Sequence, residues 1–391
     1  MNICLISTGL PPENGGGIGT YIYNLSKGLV VLGHTVHVIT PTSQSYYTVD
    51  EEDGLYIHRL PKKSFPIIEA YFPGVRWSFQ LYQLIKKLHK NSSFDLIEFP
   101  NWEASGVASQ LLLKIPVVVR LHTPFFETLS LDSDQVTFGD KMVCRFEQWS
   151  CKKANQLVSS TRCHAKTIID RYKMDISDIC ILPLGIIDKN IKAESTKSSY
   201  ENFKILYVSR LENRKGTLAF LKSLPLIYKQ CPNIQVDIIG SDRSHAPGNI
   251  KFRQYFKQNF NDLSDVVTFH GFVDDKTLDR FYNNADLFVV PSVYESFGLI
   301  YVEAMMYGLP SIATKGGGIP EVITDGVDGF TTDINSSEQI TARVMEFTNN
   351  KALLTNMGIA ARESFECKFD YLIMSRNTEI LYKATSVGYH S

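Results

Sequence analysis

Strand-like and helix-like hydrophobic patterns alternate along the whole of this 391-residue chain, and that alternation constrains its fold more than any other feature. In the first half, short apolar runs fall at Asn2–Thr8, Thr35–Thr40, Leu55–Arg59, Leu96–Phe99, Val117–Leu121, Gln156–Ser160 and Ile179–Pro183. Apolar residues recur at helical spacing over Ile18–Leu32, Val75–Lys90, Lys141–Ala154 and Ala165–Tyr172. Such alternation predicts parallel sheets covered by helices on both faces. The pattern pauses at a polar stretch, Asp188–Asn202, which reads as a linker. It restarts with Phe203–Val208, and further strands fall at Gln235–Gly240, Val266–Phe269, Leu287–Pro291, Ser311–Thr314 and Gly329–Thr331. Helical patterns near Ser337–Asn349, Lys351–Cys367 and Tyr371–Lys383 finish the chain. The expected class is α/β, with two doubly wound, Rossmann-like parallel-sheet domains, residues 1–190 and 203–370. Ligands in such sheets bind outside the carboxyl ends of the strands, so two facing sheets are expected to share a cleft.

Composition excludes several classes. Apolar residues make up 44% and charged residues 21%, as in an ordinary globular protein. A net charge of −1 offers no general attraction to nucleic acid, and no nucleic-acid partner is expected. The seven cysteines are odd in number and form no CxxC pair, so free thiols in a reducing compartment are expected, not a disulfide frame or a zinc site. No apolar run is long enough to span a bilayer, and the first residues read as a strand, not a signal peptide. A cytoplasmic location is expected. Val75–Lys90 is amphipathic and reads as a core-packed helix in preference to a membrane-surface one.

The chemistry-bearing residues cluster after strands. Glu295 sits in the turn between the strand Asp286–Pro291 and a helix read from Gly298 to Tyr307, and Glu303 lies about two turns further on. A helix N-terminus suits a phosphate, and two flanking carboxylates suit sugar hydroxyls, so the combination points to a nucleotide-sugar. Glu303 lies among apolar neighbours, where a carboxylate needs a partner. Arg210 and Lys215, at the end of the strand opening the second half, fit a pyrophosphate clamp. Gly15-Gly16-Gly17 follows the first strand and lets backbone amides approach an anion. Position 22 is Ile and the second strand ends at Thr40, where the dinucleotide fingerprint wants Gly and an acid, so a nicotinamide cofactor is disfavoured. Thr314–Glu321 again places glycines after a strand, with amides open to phosphate or sugar oxygens and Glu321 either accepting from a ligand or capping the turn. His122 ends the strand Val117–Leu121 and is expected to point into the cleft. Asp132-Ser133-Asp134 looks like a solvated loop, not a metal-holding motif, so no metal is expected.

Taken in order, Gly16-Gly17, His122-Thr123, Ser209-Arg210 with Lys215-Gly216, His270-Gly271-Phe272, Glu295-Ser296-Phe297-Gly298 with Glu303, and Gly317–Glu321 resemble the family 4 retaining glycosyltransferases of the GT-B fold, over nearly the whole chain. The resemblance implies an N-terminal acceptor-binding domain, a C-terminal nucleotide-sugar domain and a last helix, within 371–391, crossing back onto the first domain. It implies that Arg210 and Lys215 bind the diphosphate, Glu303 the ribose and Glu295 the transferred sugar. Main-chain groups near Phe272 and Val273 are implied to read the base, and amides at Ser296, Phe297, Gly298 and Leu299 to add phosphate contacts. Gly16 and Gly17 are implied to approach the diphosphate, and His122 to lie near the anomeric carbon. The implied reaction is metal-independent hexosyl transfer, with retention, from a nucleoside diphosphate to an acceptor hydroxyl. Uracil and glucose are the expected base and sugar, though no residue specifies either. The acceptor is expected to be a saccharide or lipid-linked saccharide in surface or extracellular polysaccharide assembly, with weak peripheral contact at the inner membrane face. A nucleotide-sugar epimerase or a glycogen-synthase-like polymerase of the same fold is the alternative. The segment Ser241–His245 departs from the family's short Gly-rich loop. Phe65–Pro73 and Asn101-Trp102-Glu103 are acceptor candidates, the former equally readable as a packed loop.

Overall fold

The structure is a computed structural model describing residues 1–11, 16–62, 71–132, 136–189 and 202–390, with backbone alone at 128, 130–132 and 390. The chain divides into two compact units, Met1–Ile187 with Asp370–Ser391, and Asp188–Phe369. Gly15, residues 65–70, Ser133, Asp134 and most of the polar linker lie outside the described residues.

The first unit holds an eight-stranded sheet of β1 (Asn2–Ile6), β2 (Thr35–Thr42), β3 (Thr48–Glu52), β4 (Leu55–Pro61), β5 (Leu96–Pro100), β6 (Val117–Leu121), β7 (Gln156–Ser159) and β8 (Ile179–Ile181), in the order β3-β4-β2-β1-β5-β6-β7-β8. Its helices are α1 (Gly17–Val31), α2 (Val75–Ser92), α3 (Val107–Leu112), α4 (Phe125–Asp132), α5 (Phe138–Lys153) and α6 (Arg162–Tyr172), joined by the C-terminal helix Tyr371–His390. The central strands are largely apolar because both faces are covered: Ile3, Cys4, Leu5, Ile97, Phe99 and Val119 are fully buried.

The expectation of wholly parallel pairing needs one correction, at the edge. β3 runs antiparallel to β4 through a two-residue turn, Asp53-Gly54, both with positive φ. Thr-Val-Asp-Glu-Glu has no apolar face to betray a strand, and its exposed acids suit an edge. A second correction concerns Asp132, which ends a helix where a loop was expected. Phe126 anchors that helix on Tyr172, ring centroids 5.9 Å apart. α5 begins three residues before its apolar periodicity because Thr137 and Asp140 form a reciprocal cap there. All seven cysteines are free thiols; Cys4 and Cys151 are buried, whereas Cys163 and Cys367 are exposed.

The second unit holds β9 (Phe203–Val208), β10 (Ile234–Ile239), β11 (Val267–Gly271), β12 (Leu287–Val289), β13 (Ser311–Thr314) and β14 (Gly329–Thr332), all parallel, in the order β11-β10-β9-β12-β13-β14. Its helices are α7 (Thr217–Gln230), α8 (Phe252–Asn259), α9 (Asp275–Asn284), α10 (Leu299–Met306), α11 (Ile319–Val322), α12 (Ser337–Asn349) and α13 (Lys351–Ser364). The strand order reverses between β9 and β12, and the crevice beyond their carboxyl ends is where such sheets take ligands. Among the described residues, no helix is long and apolar enough to cross a membrane.

Candidate active site

The loops after β9 and β12 meet at this reversal. After β9 the chain makes a short 3₁₀ turn, Asn213–Lys215, and enters α7 through Gly216. Gly216 has φ +67°, and a Cβ there would lie 1.8 Å from the Pro291 carbonyl oxygen, so only glycine lets the two loops touch. Val293 N donates to the Arg214 carbonyl at 2.8 Å, which locks the contact. The 3₁₀ turn thereby carries its cations to Glu295. Lys215 Nζ donates to Glu295 Oε1 at 2.5 Å, and Ser292 Oγ donates to the same oxygen at 2.9 Å. Arg214 Nη1 stands 3.6 Å from Glu295 Oε2, and its other nitrogen lies 3.4 Å from Glu212 Oε1. Arg210 reaches Glu212 at 3.2 Å and is the more exposed cation.

Burial acts to raise the Glu295 carboxyl, but Lys215, Arg214 and the hydrogen bonds from Lys215 and Ser292 overcome it and hold it below its ordinary value. Burial also moves the Lys215 ammonium down, against the pull of Glu295. Glu303 is set differently. Burial raises its carboxyl; one hydrogen bond, from Tyr282 Oη at 3.1 Å, opposes the shift. Tyr282 stacks on Tyr307 at 4.9 Å, and Tyr307 Oη donates to Asp279 at 2.5 Å.

The structure brings together Arg210, Lys215 and Glu295. Arg214, Glu212 and Ser292 join them; none of the three is among the candidate site residues of the sequence, although Arg214 lies between Arg210 and Lys215 in the same cationic segment. Phe297 is buried against Phe369, ring centroids 5.9 Å apart, and Gly298, at φ +98°, opens α10 without a side-chain cap. Ser296 and Leu299 flank it, half-buried. Phe272 is 87% exposed after β11, with half-buried Val273 beside it. The glycine loop after β13 is partly spoken for: Gly318 N donates to the Glu295 carbonyl at 2.8 Å and Gly316 N to Thr314 Oγ1 at 3.1 Å. A Cβ at Gly317 (φ +63°) would lie 2.3 Å from that same Glu295 carbonyl, so glycine here serves backbone packing.

In the first unit, Gly16 and Gly17 open α1 and border open space. His122 follows β6 and is pinned through its main chain. Asn101 Oδ1 accepts from His122 N at 2.8 Å, and Asn101 Nδ2 donates to His122 O at 3.2 Å. Glu147, buried on α5, accepts from Glu103 N at 3.1 Å and Phe125 N at 3.0 Å, so one carboxylate holds the loops on both sides of His122. Burial pushes that carboxyl up to about 8. These partners are dozens of residues apart in sequence, and no local signal marks them. The His122 Nε2 is buried without a hydrogen-bond partner among the described residues. Burial, then Arg120 and His164, lower its imidazole to about 3. His122 is therefore a neutral hydrogen-bonding group. We expect His122→Ala to lower turnover roughly 100-fold while leaving the pH–rate profile unchanged in shape between about pH 5 and 9. Loss of a limb near the ordinary histidine value would contradict this assignment. Among the described residues, no group of three His, Cys, Asp or Glu is arranged to hold a metal.

Comparison with known proteins adds the following. Residues 188–364 match the family "Glycosyl transferases group 1", and residues 15–189 match "Glycosyltransferase Family 4". The chain is 28% identical over 345 residues to a D-inositol 3-phosphate glycosyltransferase from Paenarthrobacter aurescens, covering 81% of each chain. It superposes on sucrose-phosphate synthase from Thermosynechococcus elongatus with a TM-score of 0.81, at 20% identity, covering 99% of both. It also superposes on Anabaena HepE, solved in complex with UDP-glucose, with a TM-score of 0.73 at 16% identity, covering 98% of this chain and 100% of that one. The chain belongs to the family 4 glycosyltransferases and has the GT-B fold.

Proposed function

We propose that this glycosyltransferase moves a hexose, glucose, from a UDP-sugar to an acceptor hydroxyl with retention of anomeric configuration and without a metal. The observation that carries the proposal is the Arg210–Glu212–Arg214–Lys215–Glu295 cluster at the β9/β12 reversal. Three cations there supply the charge that a leaving diphosphate needs, already oriented by carboxylates and so without reorganisation during the reaction. Arg210 and Lys215 take the diphosphate, aided by amides at Ser296, Phe297, Gly298 and Leu299 where α10 begins. Glu303 accepts from the ribose, Glu295 from the transferred sugar, and main chain at Phe272 and Val273 reads the base. In the first unit, Gly16 and Gly17 leave room for phosphate, and His122 hydrogen-bonds substrate hydroxyls as a neutral imidazole. The superposition on a protein solved with UDP-glucose supports the choice of donor. The acceptor we propose is a saccharide or lipid-linked saccharide in surface or extracellular polysaccharide assembly, met at the cytoplasmic face of a membrane.

The test is nucleotide release across UDP-, GDP- and ADP-sugars, followed by product analysis. UDP-glucose is expected to turn over best, unaffected by a chelator, and to yield an acceptor extended by one sugar with its anomeric configuration kept. Release from no donor, an inverted linkage, an epimerised free donor or a long homopolymer would each overturn part of the proposal.

A further inference from the structure

One surface of the first unit gathers large apolar side chains, and its exposed charges, among the described residues, are of a single sign. Tyr71, Phe79, Leu111 and Phe138 are 57%, 49%, 63% and 54% exposed. They are contiguous. The Phe138 ring lies 6.4 Å from those of Tyr71 and Phe72. The next residues, Pro73 and Gly74, open a groove of about 140 Å³ that Phe79, Leu111, Leu112 and Phe146 also line, together with Glu103, which is half-buried and paired with Lys62 at 3.2 Å. Soluble surfaces rarely collect apolar side chains in this way without a partner.

The surrounding charges identify the partner. On α2, Phe79, Gln83, Lys86 and Lys90 follow one another at spacings of four, three and four, which places them on one exposed stripe, with Lys87 beside it. Lys114 comes two residues after Leu112, and Lys141 and Arg145 stand about one and two turns beyond Phe138 on α5. Every exposed charged residue described between 71 and 153 is lysine or arginine; the described acids there are buried or half-buried. The near-zero net charge of the chain hides this asymmetry.

We infer that this face of the first unit docks on an anionic lipid bilayer. The aromatic and leucine side chains enter the boundary between headgroups and acyl chains, and the lysines hold lipid phosphates. A second copy of the chain is a poor occupant, because a two-fold contact brings the same cations against each other. Nucleic acid would use the cations but leave the leucines and the apolar groove unmatched.

The test is flotation of the full chain with vesicles of phosphatidylcholine alone, or of phosphatidylcholine with about 30% phosphatidylglycerol. Binding is expected to be at least roughly tenfold stronger to the anionic vesicles and to weaken at high salt. The triple change Lys86→Glu, Lys87→Glu and Lys90→Glu is expected to reduce it roughly tenfold or more, and Phe79→Ser with Leu111→Ser to reduce it at low salt as well. Lys114→Glu with Lys141→Glu repeats the test should the triple variant fail to fold. UDP-sugar hydrolysis is expected to survive all of these changes. Equal binding to neutral vesicles, no binding, binding indifferent to the charge reversals, tighter capture of an RNA oligomer, or a dimer that the same changes dissociate would each overturn the inference. Flotation needs no donor, so failure of the transfer reading leaves this test standing.

Discussion

Lys215→Ala is expected to lower sugar transfer from a UDP-donor roughly 1,000-fold and to abolish measurable binding of UDP. Two consequences of one deletion combine. The diphosphate loses an oriented ammonium, and Glu295 loses its nearest partner while remaining buried. Arg214 at 3.6 Å and Ser292 at 2.9 Å are then the side-chain partners left to the carboxylate among the described residues. Removing one member of a buried pair costs about 3–5 kcal/mol, so the thermal transition of the second unit is expected to fall as well. Glu295→Gln separates the two effects. It keeps Lys215 for the phosphates, so UDP binding is expected to persist while transfer falls. If Glu295→Gln abolishes UDP binding and Lys215→Ala does not, the roles are reversed. The pH dependence follows from the same pair. The folded-state carboxyl of Glu295 lies below its ordinary value of 4.5. Its contribution to stability is fully present above that value and is lost as pH falls through the folded-state value.

The largest effect on stability alone is expected at Glu98. This β5 residue has no exposed surface, and its oxygens accept from Tyr21 of α1 and Tyr382 of the C-terminal helix, each at 2.7 Å. Arg120 of β6 stands 4.0 Å away, also fully buried, with its guanidinium 4.7 Å over the Tyr21 ring and one nitrogen donating to the Leu182 carbonyl at 3.0 Å. Glu98→Gln keeps the volume but removes the only carboxylate beside that guanidinium among the described contacts. An unpaired buried cation costs about 3–5 kcal/mol, which corresponds to roughly 10 °C in the first unit's transition. Tyr382→Phe removes a single hydrogen bond to the carboxylate and is expected to cost only about 2 kcal/mol. Calorimetry of both variants gives the comparison; equal melting of Glu98→Gln and the unaltered chain would show that the cluster is not what holds these elements.

The fold was legible where periodicity carries it. Largely apolar runs mark β1, β5, β6, β9 and β12, with Glu98, Arg120 and Lys204 the charged exceptions, because these strands lie inside their sheets. The hairpin of β3 and β4 was missed although Asp53-Gly54 is a strong turn signal, since a strand of threonine and acids has no apolar face. The cluster at the β9/β12 reversal was legible in part: Arg210, Lys215 and Glu295 follow strands, and the structure brings them together there. Arg214 and Ser292 were not, because their value comes from meeting Glu295 across the β9/β12 reversal. Nor was the purpose of Gly316 and Gly317, which accommodate a neighbouring backbone where ligand amides were expected. Asn101 and Glu147, which pin the loops around His122, act through contacts that no sequence window contains.

The account rests on the diphosphate being held where the β9 and β12 loops meet. A crystal structure with bound UDP tests that directly. Phosphate oxygens are expected within about 3 Å of Lys215 Nζ and the Arg210 guanidinium, with the ribose hydroxyls on Glu303. A nucleotide bound elsewhere, with Lys215 still engaged only by Glu295, would contradict it.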